Sequence, residues 1–115
     1  MTQQIEIGGK QRPARFGFAG LYEYEQQTGR KALSDFASLS AGLENVSITL
    51  IVDLVYYGLV CGYRKAGVNV DFDKFDVAEW IGNDQGVLQT VMQAFADSFP
   101  QGNAMTETAA ATAPK

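Results

Sequence analysis

A chain of 115 residues with 46% hydrophobic and 19% charged side chains has the composition of one folded domain, long enough to bury a core without disulfides or metal. Its formal charge of -4 argues against a general nucleic-acid binder, which needs positive surface to displace counterions from phosphate. The absence of histidine removes the commonest general base and the commonest metal ligand together.

In chain order, Gln4 to Ile7 and Arg12 to Phe16 alternate polar and apolar residues around Gly8-Gly9-Lys10-Gln11, which predicts a β-hairpin. Ile5, Ile7, Ala14 and Phe16 are expected inside, with Glu6, Lys10, Arg12 and Arg15 outside, and Lys10, Arg12 and Arg15 make a small basic face. Pro13 is expected where no ladder amide is needed. An isolated hairpin is marginal, so this one must dock on helices. From Phe18 the period lengthens to about 3.6, with Phe18, Leu21, Tyr22 and Tyr24/Glu25 leading to a stop at Gly29. A second, weaker helix is expected over residues 32 to 43, carrying Leu33, Phe36, Ala37 and Leu39 or Ser40.

The most apolar stretch runs from Ser47 to Gly67, and the other segments read as cover for it. Ile48, Ile51, Val52, Val55, Leu59 and Gly62 share one helical face, and Leu50, Leu54, Tyr57 and Cys61 a second. Ser47 suits the N-cap, Arg64 and Lys65 the negative end of the helix dipole, and Gly67 the left-handed C' position. The run is shorter than the roughly 20 apolar residues a bilayer span needs, and it contains Asp53. A central buried helix is therefore expected. Asp53 must reach solvent at an edge or find a cationic or amide partner. Cys61, the only cysteine, reads as a small buried hydrophobe and can form no disulfide within the chain.

Residues 68 to 76 read as an extended connection. Asp76 followed by Glu79 has the capping-box form, which predicts a helix from there to about Gly82 with Trp80 and Ile81 facing the core. Asp84 offers a further N-cap to a helix carrying Val87, Leu88, Val91, Met92, Phe95, Ala96 and Phe99 up to Pro100. The division expected is a helical domain over residues 1 to 100 and a flexible polar tail over 101 to 115.

No residues make a catalytic or cofactor pattern. Gly8-Gly9-Lys10 lacks the spacing of a phosphate loop. Asp71, Asp73 and Asp76 only superficially suggest a calcium loop, since Asp76 stands where its glycine belongs and Gly82 where its bidentate glutamate belongs. Asn45-Val46-Ser47 matches a glycosylation sequon in form alone. The opening MTQQIEIGG has neither the basic nor the apolar part of a secretory signal, so a cytoplasmic location is expected.

The segment IEIGGKQRPARFGFAGLYEYEQQTGRKAL resembles the N-terminal part of bacteriophage tail assembly chaperones. The likeness rests on Ile7, Gly9, Lys10, Arg15-Phe16, Leu21, Glu23, Glu25, Thr28-Gly29 and Leu33, and it continues through YYGLVCGYRKAG and FDVAEWIG, roughly residues 4 to 99. The resemblance implies a mainly α small helical domain with an N-terminal β-hairpin, acting in the cytoplasm of the host of a phage or prophage. It also implies a non-catalytic protein with no cofactor or metal, which binds the tape measure protein and tail tube subunits during viral morphogenesis. The family's short products end in polar tails similar to PQGNAMTETAAATAPK. The alternative from another class is a structural adaptor, a tail completion or connector protein retained in the virion. Partner contact is expected at Tyr22, Tyr24, Tyr56, Tyr57, Tyr63, Phe72 and Phe75, because aromatic side chains supply large contact area at low entropic cost, with Arg12 and Arg15 at the rim. The competing reading of the tyrosines is half-buried core. No nucleic acid or membrane partner is expected, and self-association stays open.

Overall fold

The computed structural model describes residues 3–42, 44 and 46–98, with the backbone alone at Ser40 and Gln85. The expected tail, with Phe99 and Pro100, lies outside the described residues, as do Leu43 and Asn45. Among the described residues, strands β1 (Gln3–Ile7) and β2 (Lys10–Ala14) precede five helices: α1 (Phe18–Thr28), α2 (Ala32–Ala41), α3 (Ile48–Ala66), α4 (Lys74–Asn83) and α5 (Gln85–Ser98). This is the mainly helical domain with an N-terminal hairpin that the periodicity predicts.

The hairpin turns on Gly8 and Gly9, whose φ angles of 67° and 85° suit a two-residue loop that matches the strand twist. The register pairs Ile7 with Lys10, Ile5 with Arg12 and Gln3 with Ala14. Ile5, Ile7, Ala14 and Phe16 are buried as expected. Arg12 is not outside: it is 5% exposed. The physical reason is the period of two, which puts Arg12 on the same face as Ala14.

Helix α3 starts where Ser47 Oγ accepts the Leu50 amide at 3.1 Å, and it stops at Gly67 in the left-handed region. Leu50, Val52, Leu54, Val55, Leu59 and Tyr63 are buried along it. Its Gly58 and Gly62 carry no side chain, so the end of β2 and the residues after it lie directly on the helix, and the Arg15 amide donates to the Gly58 carbonyl at 2.9 Å. A Cβ at Gly62 would stand 2.5 Å from the Ala14 backbone, and one at Gly58 would overlap the Phe16 ring. From α1, Gly20 approaches the same place, where a Cβ would be 3.5 Å from Gly58 Cα. Phe16 then packs on Phe95 of α5, with ring centroids 4.7 Å apart, and Phe95 stacks on Phe36 of α2 at 4.9 Å.

Three departures from the expected pattern have local causes. Helix α4 begins at Lys74, because Asp73 accepts from the Asp76 amide while Asp76 accepts from the Asp73 amide. This capping box lies one turn before the one expected at Asp76 and Glu79, and it allows both Phe72 and Val77 to be buried. Phe18, Leu33 and Ile48 all stand in first turns and point outward, at 62%, 48% and 76% exposure. Ala37 and Ala96 are also exposed, because each lies on the solvent side of its helix. Asp84 does cap α5, accepting the Gly86 amide at 2.9 Å.

Leu54→Ala should cost about 2 to 5 kcal/mol as a cavity in the core, and Ile48→Ala should leave the urea midpoint nearly unchanged. Gly58→Ala is the sharper test. Helix propensity alone would make it stabilising by up to about 1 kcal/mol, whereas overpacking against Phe16 should make it destabilising by about 1 to 3 kcal/mol. A midpoint that rises in Gly58→Ala contradicts the close approach of hairpin and helix.

Candidate functional site

The sequence concentrates aromatic residues on the C-terminal half of α3 and on the connection to α4, and the fold gathers some of them. Tyr56 and Tyr63 are seven residues apart, so both face the connection, where Phe72 meets their rings edge-on at 5.8 and 5.2 Å. Trp80 of α4 lies against Phe72 at 5.4 Å. Arg12 reaches into this cluster from β2, its guanidinium 4.3 Å from the Trp80 ring and 5.3 Å from Phe72. Its nitrogens donate to the Ile7 carbonyl at 2.8 Å, to the Tyr63 hydroxyl at 2.9 Å and to Asp71 at 3.3 Å. So many internal partners make Arg12 a clamp between hairpin, α3 and connection, and take it out of the expected rim.

Beside the cluster, Glu23 and Gln27 of α1, Tyr56, Tyr57 and Val60 of α3, and Asp73, Lys74 and Phe75 at the start of α4 line a groove of about 570 Å³. Phe75 is 72% exposed at its edge, while Tyr56 and Tyr57 are half-buried in contact at 5.0 Å. The Lys74 ammonium lies 4.8 Å from the Tyr57 ring and 3.1 Å from Asp53, which is buried. Tyr57 and then Asp53 push the Lys74 ammonium up, against the opposing effect of burial. Arg30 approaches the other Asp53 oxygen at 3.6 Å, which resolves the expectation for Asp53 as a paired carboxylate. Arg30 also reaches the Tyr24 hydroxyl at 3.4 Å, and that hydroxyl donates to Asp35 at 2.6 Å. Burial, and then the Asp35 carboxylate, push the Tyr24 phenol up to about 12. On the opposite wall, Arg64 grips Glu23 through two nitrogens at 2.8 and 3.3 Å. This bidentate bond holds the Glu23 carboxyl below its usual range.

The structure thus divides the expected contact residues. Tyr56, Tyr57 and Phe75 line one groove. Phe72 and Tyr63 are buried beside it, Phe72 against Tyr56 and Tyr63 against Phe72, and Tyr24 is wholly buried in the core. Tyr22 is exposed on α1, outside the groove lining, because two residues of helix separate it from Tyr24 by about 200°. Arg15 is half-buried, with its Nε unpartnered among the described residues. Sequence reasoning missed Glu23, Gln27, Val60, Asp73 and Lys74. The signal available was the i, i+4 spacing of Glu23 and Gln27 on the polar face of α1. Among the described residues no group of three or more His, Cys, Asp or Glu side chains could hold a metal ion, and no helix is long and apolar enough to cross a membrane. The carboxylates that superficially suggest a calcium loop are occupied in capping α4 and in pairing Asp71 with Lys10 and Arg12. Burial pushes the Cys61 thiol up, as suits an unreactive side chain.

Because the Glu23 carboxyl is held below the ordinary glutamate value of 4.5, its bond to Arg64 stabilises the folded state fully above that pH. The stabilisation is lost as the pH falls through the lowered folded value. Glu23→Gln should therefore lower the melting temperature at pH 7 and flatten its decline below about pH 4.5. Parallel acid limbs for the two proteins contradict the pairing.

Comparison with family models, with curated protein sequences and with solved structures returned no match.

Proposed function

We propose that this chain is a non-catalytic tail assembly chaperone of tailed phages, binding a helical, apolar segment of the tape measure protein during tail morphogenesis, with tail tube subunits as further partners. The observation that carries the reading is the groove between α1, α3 and α4. Its floor is aromatic, its edge presents the exposed Phe75, and its walls are charged groups held in place by partners of their own. A helix laid in a groove needs a row of apolar anchors ringed by polar groups, and this arrangement is of that kind. The sequence resemblance supplies the identity of the partner. The absence of histidine from the chain and the internal pairing of Asp53 and Glu23 agree with a role without turnover.

Co-expression with a tape measure fragment should keep that fragment soluble and yield a complex that co-purifies. Phe75→Ser removes an exposed ring without touching the core, so it should weaken the complex by about tenfold or more and leave the melting temperature unchanged. Tyr56→Ser with Tyr57→Ser should weaken it further, with some loss of stability because both rings are half-buried. If no complex forms and the chain is found at fixed copy number in mature virions, the structural adaptor takes the place of the chaperone.

A further inference from the structure

A two-stranded sheet leaves each strand one free edge, and the outer edge of β1 opens onto a trough. The two-residue loop makes Ile7 and Lys10 a pair that exchanges backbone bonds, and antiparallel alternation extends this to Ile5 with Arg12 and Gln3 with Ala14. Gln4 and Glu6 accordingly turn their amides and carbonyls away from β2. Among the described residues, no backbone group outside the hairpin bonds to them. Along this edge run two adjoining depressions of about 570 and 490 Å³, lined by residues 6 to 9 and 3 to 5 of the hairpin and sharing Gly86 and Thr90 on the α5 side. Gly86 adds no side chain to that wall. Among the described residues, the ionisable groups lining the depressions are Glu6 and Asp84 in the first and Asp97 in the second, with no lysine or arginine.

We propose that this trough receives an extended, basic polypeptide segment of a partner, which adds to the outer edge of β1 as a third strand. The unpaired backbone groups of Gln4 and Glu6 supply the ladder, and the three carboxylates select for lysine or arginine along the incoming strand. A strand of five or six residues, about 17 to 20 Å long, matches the length of β1. Charge disfavours a second copy of this chain as the occupant. Two such edges would bring like charges together, and the basic residues of the hairpin are engaged, Lys10 with Asp71 and Arg12 inside the fold. The trough is separate from the aromatic groove, so the proposal does not depend on the function inferred above.

The test uses the full chain and the synthetic peptide KVKVKV, followed by fluorescence anisotropy and by amide exchange. Binding should slow exchange at the Gln4 and Glu6 amides and leave those of Ile5 and Ile7, already in the ladder, little changed. EVEVEV, and KVKVKV methylated at every amide nitrogen, should each bind at least tenfold more weakly. Gln4→Pro should abolish binding, because it removes an outward amide that the hairpin does not use. Should Gln4→Pro disturb the hairpin, Glu6→Gln with Asp97→Asn, which leaves the backbone intact, should still weaken KVKVKV at least fivefold. Equal binding of the methylated peptide, no protection at Gln4 and Glu6, or a dimer of this chain built on the β1 edge would each overturn the proposal.

Discussion

The close approach of backbone to backbone at Gly58 and Gly62 is the constraint on which the rest of the fold depends. A hairpin of two short strands has too little buried area to stand alone, and it gains that area only by lying flat against α3. Lying flat requires that the helix offer no side chain beneath β2, so glycine is needed at both positions despite a helix-propensity cost of roughly 0.5 to 1 kcal/mol each. The Arg15 amide bonded to the Gly58 carbonyl then fixes the translation of the hairpin along the helix. Phe16 follows as a consequence. Held over Gly58, its ring is delivered to Phe95, so one seam also determines where α5 and, through Phe36, α2 must pack.

Much of this architecture was legible in the sequence because its signals are local. Ser47, Gly67, Gly29 and the Gly8-Gly9 turn act within one turn of chain, and each stands where backbone chemistry predicts. The errors arose where a choice depended on tertiary packing. Asp73 with Asp76 and Asp76 with Glu79 are both spaced for a capping box, and only the burial of Phe72 and Val77 decides between them. Ile48 and Phe18 fit apolar stripes, yet the stripes extend past the point where another element covers them. Arg12 is a different kind of error, since its parity with Ala14 already assigned it to the inner face. The charge of Arg12 points outward and the period of two inward, and the aromatic cluster that makes an inward arginine tolerable comes from residues about 50 or more positions away.

The candidate site was less legible than the fold for a related reason. Aromatic residues announce themselves in a sequence, but whether they form core or surface depends on which side of a helix is covered. Tyr24 and Tyr22 show this within one turn of α1, the first wholly buried and the second exposed. The polar residues of the groove were invisible for a different cause. Glu23 and Lys74 look like solvated helix charges until their partners Arg64 and Asp53, 41 and 21 positions away, are brought alongside.

Asp53 joins these two levels. A carboxylate buried in the middle of the central helix cannot remain unpaired, since stripping one partner from a buried ion pair costs about 3 to 5 kcal/mol. The fold answers by drawing Arg30 in from the turn between α1 and α2 and Lys74 from the first turn of α4. Lys74 can meet Asp53 only if α4 begins close to α3, and that position carries its stem and ammonium across the faces of Tyr57 and Tyr56. The next residue, Phe75, is then obliged to project over the groove rather than into the core. The pairing that makes the buried charge tolerable therefore also sets the spacing between the aromatic floor of the groove and its exposed edge. Geometry suited to a partner arises at this place as a by-product of neutralising one side chain.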